Sequence, residues 1–570
     1  MPREKKADAP RGGVGHNERV RSTRFSRSPS LAVVLGALLV GAVACGPTTR
    51  FERASGGGEG GGDASSTTAG AGAGVSWDGP LEDLAEGDLG NVLLNEPTAF
   101  PVPDRALGLT VLVEAPKVDD IIGIAKLAPP TGGDVIFDYA MAEHATTVFA
   151  NYGWIGGGNP QADSAAAWPM QQGTWTIQLG DDDGSSPSAR VRVWVRRTED
   201  GAFHGGVVDV NVFLIPGVAS QNYVLTVLGE MFASYAGLGL GNVTFHPLDA
   251  SSAIIGSYDE YQQMLASSAG IGATPALNLF VIDHFSPDTF GGAIGVAGGI
   301  PGSPMRHGTT LSGIAYAPQG NPQYDATILR HELGHLAGLF HTTEAAVEET
   351  DPLSDTAACT MAMVNANPDA CPDATNTMFP YANGATDLTP AQERVLQGSA
   401  MYRGVLKAGG QPAPPSPFAP PHELDAKKAI TVRRTNKPLP LHPTPLERML
   451  GAVWCTHGGK ADHEALAIRI AGPEAPAALR AIAVDEDKAD ILRSRALRAY
   501  LRAAKGKERA RAIDLADGIA RRETASSDLR ISALEALGRE DPSRARAVAK
   551  ATGQSEDTVV RAVALGLLTK

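Results

Sequence analysis

The sequence predicts a multidomain fold with a β-sandwich-like N-terminal domain, an α/β domain and an all-α helical-repeat C-terminal domain. Three observations predict this fold class. The chain has 570 residues, too many for one hydrophobic core. Strand-like alternation dominates residues 97–198, and strand-like and helix-like stretches then alternate through residues 203–405. Helical spacing of apolar residues dominates residues 446–570.

The β pattern of residues 97–198 is clearest in three alternating stretches at residues 106–113, 174–179 and 189–195. Between the last two, the Asp- and Gly-rich residues 180–185 are typical of a hairpin turn. They include too few regularly spaced carboxylates to predict a Ca²⁺ site. Bound calcium therefore stays an open alternative without support.

The α/β pattern begins with a buried-type strand at residues 207–215 and a helix over about residues 222–235. A second apolar run covers residues 277–282, and residues 312–317 form the last strand-like stretch before the next helix. Strands that alternate with helices predict a layered α/β domain on which that next helix packs.

The most constrained stretch of the chain is an HExxHxxGxxH pattern that starts at His331. On a helix, His331 and His335 share one face, and Glu332 lies on the adjacent flank. Gly338 stands where the helix has to end, because glycine readily adopts a left-handed backbone. The turn that follows lets His341 return as a third nitrogen ligand. Three protein ligands leave one tetrahedral position open, which is typical of catalytic zinc sites.

The residues around the pattern predict a helix. Its apolar residues Ile328, Leu329, Leu333 and Leu336 recur at helical spacing, and Asp325 is a candidate N-cap. The shorter HExxH pattern alone also occurs in helices that bind no metal. The added glycine and third histidine favour a metal site.

The extended motif resembles that of the metzincins, whose second signature is a methionine turn beneath the zinc. Met378, in an Asn-Thr-Met-Phe-Pro-Tyr segment, matches that turn and would form the apolar floor under the imidazoles. Cys359 and Cys371 lie in the loop between the two signatures, and residues 388–392 open a further helix. The arrangement is most similar to the pappalysin branch of the metzincins, over about residues 203–405.

The resemblance implies two further roles. Several metzincins carry a tyrosine two residues after the methionine that supports the transition state. Here that position is Pro380, and Tyr381, one residue further on, is the candidate. In metzincins the strand before the zinc helix lines the upper rim of the cleft, where a peptide adds as an extended strand. The resemblance implies this role for residues 312–317, and a purely structural edge strand is the alternative.

The cysteines are consistent with an oxidising compartment. A disulfide bridge between Cys359 and Cys371 would staple an irregular loop, and two free thiols are the alternative. Cys455 is left without a predicted partner.

Residues 1–45 are typical of a lipoprotein-type export signal. Basic residues precede an apolar run at residues 31–44, and Ala-Val-Ala-Cys then resembles a bacterial lipobox with lipidation at Cys45. Residues 46–96 are Gly- and Ser-rich at first and predict a flexible tether. We expect export to a bacterial cell envelope with a lipid anchor. Simple secretion and an uncleaved anchor are the alternatives.

The net charge of −14 argues against nucleic acid as a partner, and contact with a membrane is expected through the lipid anchor only. Residues 406–445 are Pro-rich and predict a semi-rigid linker.

The helical-repeat domain, residues 446–570, contains an apolar-Arg-x-x-Ala-Leu phrase that begins at Leu492, Leu529 and Val560. This spacing resembles a short series of HEAT-like repeats. Such repeats would dock a protein partner, and a helical bundle that caps the protein is the alternative.

The motif predicts a zinc-dependent metalloendopeptidase acting on protein or peptide substrates. One Zn²⁺ ion would bind His331, His335 and His341, and Glu332 would act as general base. One alternative is a catalytically silent zinc-binding scaffold or adhesin of the cell envelope, which would act through its helical-repeat and β-sandwich domains. Hydrolysis of a non-peptide amide or ester is a further alternative without a supporting motif.

Overall fold

The computed structural model describes most of the chain after residue 80. The described residues are 75, 77, 80–114, 122–131, 146–151, 155–160, 170–181, 186–268, 276–286, 290, 293–302, 313–343, 351, 353–360, 362–363, 367–380, 384–412, 429–433, 437, 444–451 and 463–569. The predicted export signal, the lipidation at Cys45, Tyr381 and Cys455 lie outside them.

The N-terminal part consists of β-strands in antiparallel sheets. The strands are β1 (Leu84–Leu93), β2 (Thr98–Val102), β3 (Ala106–Glu114), β4 (Ile122–Ala128), β5 (Thr146–Asn151), β6 (Ile155–Pro160), β7 (Gly173–Asp181) and β8 (Ser188–Arg197). Among the described residues, a five-stranded sheet has the order β1-β8-β3-β6-β5, and a three-stranded sheet has the order β2-β7-β4. Strand β1 lies within the predicted tether, so the folded part begins before residue 97.

The two sheets contribute to one apolar cluster. Trp175 and Ile177 of β7 lie in it together with Val111 of β3 and Val193 of β8, and all four are fully buried. The predicted hairpin between β7 and β8 is wrong, because these strands pair in different sheets. The Asp- and Gly-rich residues predict a turn, but the burial of each strand's apolar face decides its neighbour.

The central part combines strands and helices. Its elements are β9 (Gly206–Leu214), α1 (Gln221–Met231), β10 (Leu238–Pro247), β11 (Ile254–Ile255), α2 (Tyr258–Ala266), β12 (Ala276–Val281), β13 (His284–Phe285), β14 (Gly295–Ala297), β15 (Ile314–Tyr316), α3 (Pro322–Ala337), α4 (Pro390–Gly398) and β16 (Arg403–Gly404). The sheet has the order β10-β9-β12-β15-β14, and β16 pairs with β9. Strands β9, β10, β12 and β15 are parallel. Strand β12 is buried along its whole length, as parallel strands covered on both faces are.

The edge of this sheet differs from the expectation. Strand β15, at residues 314–316, lies between β12 and β14, so it is an internal strand. Among the described strands, the antiparallel β14 forms the edge of the sheet beside helix α3. A short strand at residues 295–297 lacks the apolar run that makes a strand visible in the sequence, which is why the pattern favours the later segment.

The C-terminal part is helical. Its helices are α5 (Pro445–Gly451), α6 (His463–Ala471), α7 (Ala475–Val484), α8 (Asp490–Ala503), α9 (Lys507–Arg521), α10 (Ser527–Glu540), α11 (Pro542–Thr552) and α12 (Thr558–Thr569). Sheets followed by a helical region are the layout that the sequence pattern predicts. Each of the three recurring phrases begins at the third residue of a helix, in α8, α10 and α12. In the described part of the chain, no helix is both long and apolar enough to span a membrane.

Candidate metal centre

Helix α3 places the first two histidines. The side chain of Asn321 caps its first turn by accepting hydrogen bonds from the backbone N–H groups of Gln323 and Tyr324, both at 3.1 Å. Pro322 follows at the first helical position, where its fixed φ suits the helix and no donor is lost. The Asn-Pro pair therefore starts the helix one turn before the predicted cap.

Asp325 is not the N-cap, so that prediction is wrong. It lies one turn inside the helix and is fully buried. Its carboxylate accepts the backbone N–H of Gln319 at 3.0 Å and the hydroxyl of Tyr223 at 2.7 Å. Asp325 thus ties the start of α3 to the preceding loop and to helix α1.

Gly338 ends helix α3 as predicted, with a left-handed φ of 115°. Its backbone N–H donates to the carbonyls of Gly334 at 3.1 Å and His335 at 2.8 Å, which satisfies acceptors of the last helical turn. A residue with a Cβ atom is strained at this φ. The reversal brings His341 back to the helix.

The three histidines meet at one buried point. The Nε2 atoms of His331, His335 and His341 are 3.1 Å apart in each of the three pairs. Each residue is at most 2% exposed. The structure therefore brings together the three predicted ligands, which are separated by up to ten residues in the sequence.

Hydrogen bonds at the Nδ1 atoms of two of these histidines fix the direction in which their Nε2 atoms point. The Nδ1 of His331 lies 2.8 Å from the carbonyl of Thr377, and the Nδ1 of His335 lies 2.7 Å from the carbonyl of Leu339. A carbonyl oxygen can only accept, so each Nδ1 carries the proton and donates it. The Nε2 of each neutral ring then presents a lone pair to the shared point.

The donor set fits a metal ion. Tetrahedral ligands bound to zinc at about 2.0–2.1 Å stand roughly 3.3–3.4 Å from one another, close to the spacing of the three nitrogens. The lone pairs of His331 and His335 converge on one point, and the Nε2 of His341 lies 3.1 Å from both atoms, so a cation between them would be attracted to the group. The buried group of three histidines can therefore hold a metal ion and is compatible with zinc.

Glu332 follows the first of these histidines on helix α3 and is fully buried. Burial raises the pKa of its carboxyl group to about 8, and a hydrogen bond from the backbone N–H of Ala297 opposes that shift. Gly295, on the same strand as Ala297, makes room for the carboxylate. A Cβ atom at Gly295 would stand 2.9 Å from both Cγ and Oε1 of Glu332.

Met378 is fully buried and lies against helix α3 at Gly334, between the first two histidines. Its backbone N–H donates to Oδ1 of Asn376 at 2.8 Å, which holds the turn. Asn376 also exchanges hydrogen bonds with Gln392 of helix α4, at 2.8 and 3.2 Å. Thr389 caps that helix in a capping box with Gln392, so the helix start predicted at residues 388–392 is confirmed.

The loop between His341 and Met378 is held by a disulfide bridge between Cys359 and Cys371, as predicted. Asp373 accepts hydrogen bonds from the hydroxyls of Thr342 at 2.7 Å and Thr343 at 2.8 Å. Asp373 and the two cysteines also form a compact group of the residue types that bind metals. Because the sulfurs are bonded to each other, that group offers no thiolate ligand.

Sequence reasoning missed several residues that shape the centre. The carbonyls of Thr377 and Leu339 orient two histidines, but backbone groups leave no trace in residue type. Gly295 and Gly334 admit neighbouring side chains, and a lone glycine in a strand or helix is only a weak signal of close approach.

No protein-family model matches this chain, and no curated protein sequence matches it.

Proposed function

We propose that this protein is a zinc-dependent metalloendopeptidase. The observation that carries the proposal is the buried convergence of three histidine Nε2 atoms, 3.1 Å apart, with the carboxylate of Glu332 on the adjacent helix position. A structural zinc site usually has four protein ligands, and a catalytic one has three. Three histidines with a buried acid beside them favour the catalytic type.

Each residue has a definite task in the proposed reaction. His331, His335 and His341 would hold the ion, which when bound lowers the pKa of a water molecule and polarises the scissile carbonyl. Glu332 would accept a proton from the attacking water and donate it to the leaving amine. The hydrogen bond from Ala297 would keep the carboxylate in place.

We also propose a family and domain roles that go with this function. The two signatures, around His331 and Met378, support a metzincin-like fold of the pappalysin type for residues 203–405. The two antiparallel sheets that share one apolar cluster support a β-sandwich-like accessory domain. The equivalent placement of the three phrases in α8, α10 and α12 supports HEAT-like repeats.

For the cellular location, we propose export to a bacterial cell envelope with a lipid on Cys45. The support is the order of basic residues, apolar run and lipobox-like residues in the sequence. Labelling of wild type and a Cys45→Ser variant with a radioactive fatty acid in a bacterial host tests this point. Equal labelling of both would contradict it.

The function is tested with the full chain, as wild type and as Glu332→Gln. Cleavage of casein and zinc content are measured on the same samples. Because the histidines are unchanged, the variant should bind zinc equally and lose at least about 99% of the cleavage rate. An equally active variant would contradict the role of Glu332. Zinc in both proteins without cleavage by either would favour a silent scaffold.

A further inference from the structure

Residues 429–433 lie between the central part and the helical part and hydrogen-bond to both. On the helical side, Thr431 donates its backbone N–H to Oγ1 of Thr558 at 3.1 Å and accepts from the N–H of Thr558 at 2.8 Å. Arg433 makes the same pair with Ser527, as donor to Oγ at 2.8 Å and as acceptor from the N–H at 2.8 Å. Both contacts thus pair the backbone N–H and carbonyl of one residue of the segment with the hydroxyl and the backbone N–H of one helix residue.

The partners of this segment occupy equivalent places in the repeats. Ser527 and Thr558 are the first residues of α10 and α12, each two residues before a recurring phrase. The segment therefore contacts the starts of two alternate helices, first α12 and then α10. Lys437, four residues after the segment, forms an exposed ion pair at 3.3 Å with Asp487, just before α8.

On its other side the segment contacts the central part. The N–H of Ile430 donates to the carbonyl of Pro216 at 2.8 Å, just after β9. Gly217 follows with a φ of 98°, and a Cβ atom there would lie 2.1 Å from the carbonyl oxygen of Ile430. Ile430 is 7% exposed, so its side chain is buried at this junction. Gly217 is required both for the turn and for the close approach.

We propose that residues 429–433 form a strap, and that the row of Ser527 and Thr558 is a surface that recognises extended peptide backbone. The occupant of that surface is this chain's own strap. The recognition uses backbone groups and a hydroxyl, so it depends little on the strap's side chains. Through the strap, the helical part is joined to the sheet that supports the histidines.

A further contact joins the same parts. Helix α5 packs on the short 3-10 turn Pro368–Ala370, in the loop that contains the disulfide. The helical part thus packs on the loop that leads to Met378. The helical part is therefore a partner of the central part within the same chain. Residues 429–433, which lie within the predicted linker, form part of the contact between them.

Hydrogen exchange on the full chain, read by mass spectrometry at residues 429–433, tests the proposal without reference to catalysis. In wild type, the amides of Thr431 and Arg433 should exchange at least about 100-fold more slowly than in an unstructured chain. Thr558→Val removes the hydroxyl acceptor at nearly constant volume, and exchange at Thr431 should become about tenfold faster. Thr558→Ser keeps the hydroxyl and should match wild type within about threefold.

A second pair of variants distinguishes loss of the strap contact from the backbone strain that any side chain causes at a positive φ. Gly217→Ala should expose the strap amides, because its Cβ atom collides with Ile430. Gly409→Ala is the matched control, since Gly409 also has a positive φ of 72°, whereas a Cβ atom there would meet no atom of the described residues within 4 Å. Wild-type strap amides that exchange at the rate of an unstructured chain would overturn the proposal, as would equal exchange in all four variants.

Discussion

A Cβ atom on Gly334 would lie 2.3 Å from the Sδ atom of Met378. Gly334 stands between the two histidines of helix α3, and Met378 belongs to a turn 44 positions later, so this contact joins the two signatures of the site. The methionine reaches the helix only because the glycine has no side chain. The contact explains why the centre has a glycine where helical propensity alone favours alanine.

Gly334→Ala should therefore disturb the metal centre. Met378 must move to admit the new methyl group, and overpacking of this kind costs about 1–3 kcal/mol. We expect a lower thermal midpoint and weaker zinc retention, measured by calorimetry and by zinc content after dialysis against a chelator. Gly229→Ala in helix α1 is the control, because a Cβ atom there has open space around it and should raise the midpoint slightly. A Gly334→Ala protein as stable as the control would contradict the contact.

Gly295→Ala should separate catalysis from metal binding. The added methyl group would crowd the side chains of Ile328 and Glu332. The rings of His331 and His335 are oriented instead by the carbonyls of Thr377 and Leu339. We expect the zinc content to stay the same and kcat for peptide cleavage to fall at least about tenfold. Gly239→Ala in strand β10 is the matched control, since its Cβ atom would make ordinary contacts at 3.8 Å. Equal losses of zinc and activity would show that Gly295 has only a structural role.

Removal of the disulfide should loosen the loop that supports Met378. The bridge between Cys359 and Cys371 spans 12 residues, and closing a loop of that length stabilises a protein by about 2–3 kcal/mol. The double variant Cys359→Ser, Cys371→Ser should unfold at a lower urea concentration than wild type. Treatment of wild type with a reductant should lower the midpoint equally. Unchanged midpoints in both experiments would show that the bridge does not contribute to stability.

Asp351 should make stability depend on pH. Burial raises its pKa well above the usual range, although a hydrogen bond from Thr356 opposes the shift. The folded state therefore binds this proton more tightly than the unfolded state does, and the contribution is present below the unfolded pKa of about 3.9. It is lost as the pH rises towards the folded pKa. The free energy of unfolding of wild type should thus decline over this range relative to Asp351→Asn, measured by urea titration at several pH values. A constant difference between the two proteins would contradict the shift.

Much of the candidate centre could be predicted because its chemistry lies in residue types at short spacing. Helical geometry brings His331 and His335 together, and a glycine followed by a third histidine is readable along the chain. The cap was harder to predict, because single-residue preference cannot rank Asp325 against the Asn-Pro pair that starts the helix earlier.

The features that the sequence did not predict depend on contacts between residues far apart in the chain. Strand β14 is three residues long, and only its pairing with β15 makes it the edge of the sheet. Strands β7 and β8 alternate equally well, so the pattern could not show that they belong to different sheets. The strap at residues 429–433 is held through its own backbone groups, which every sequence carries. These features require the three-dimensional structure.

The central claim is that the three histidines bind one zinc ion, and zinc content per chain tests it most directly. The full chain is purified without added metal, as wild type, His335→Ala and the control His204→Ala, whose ring contacts Asp200 away from the centre. We predict about one zinc per chain in wild type and in the control, and at least about tenfold less in His335→Ala after dialysis. Equal zinc content in all three proteins would contradict the claim. So would an absence of zinc from wild type after incubation with added Zn²⁺ and dialysis.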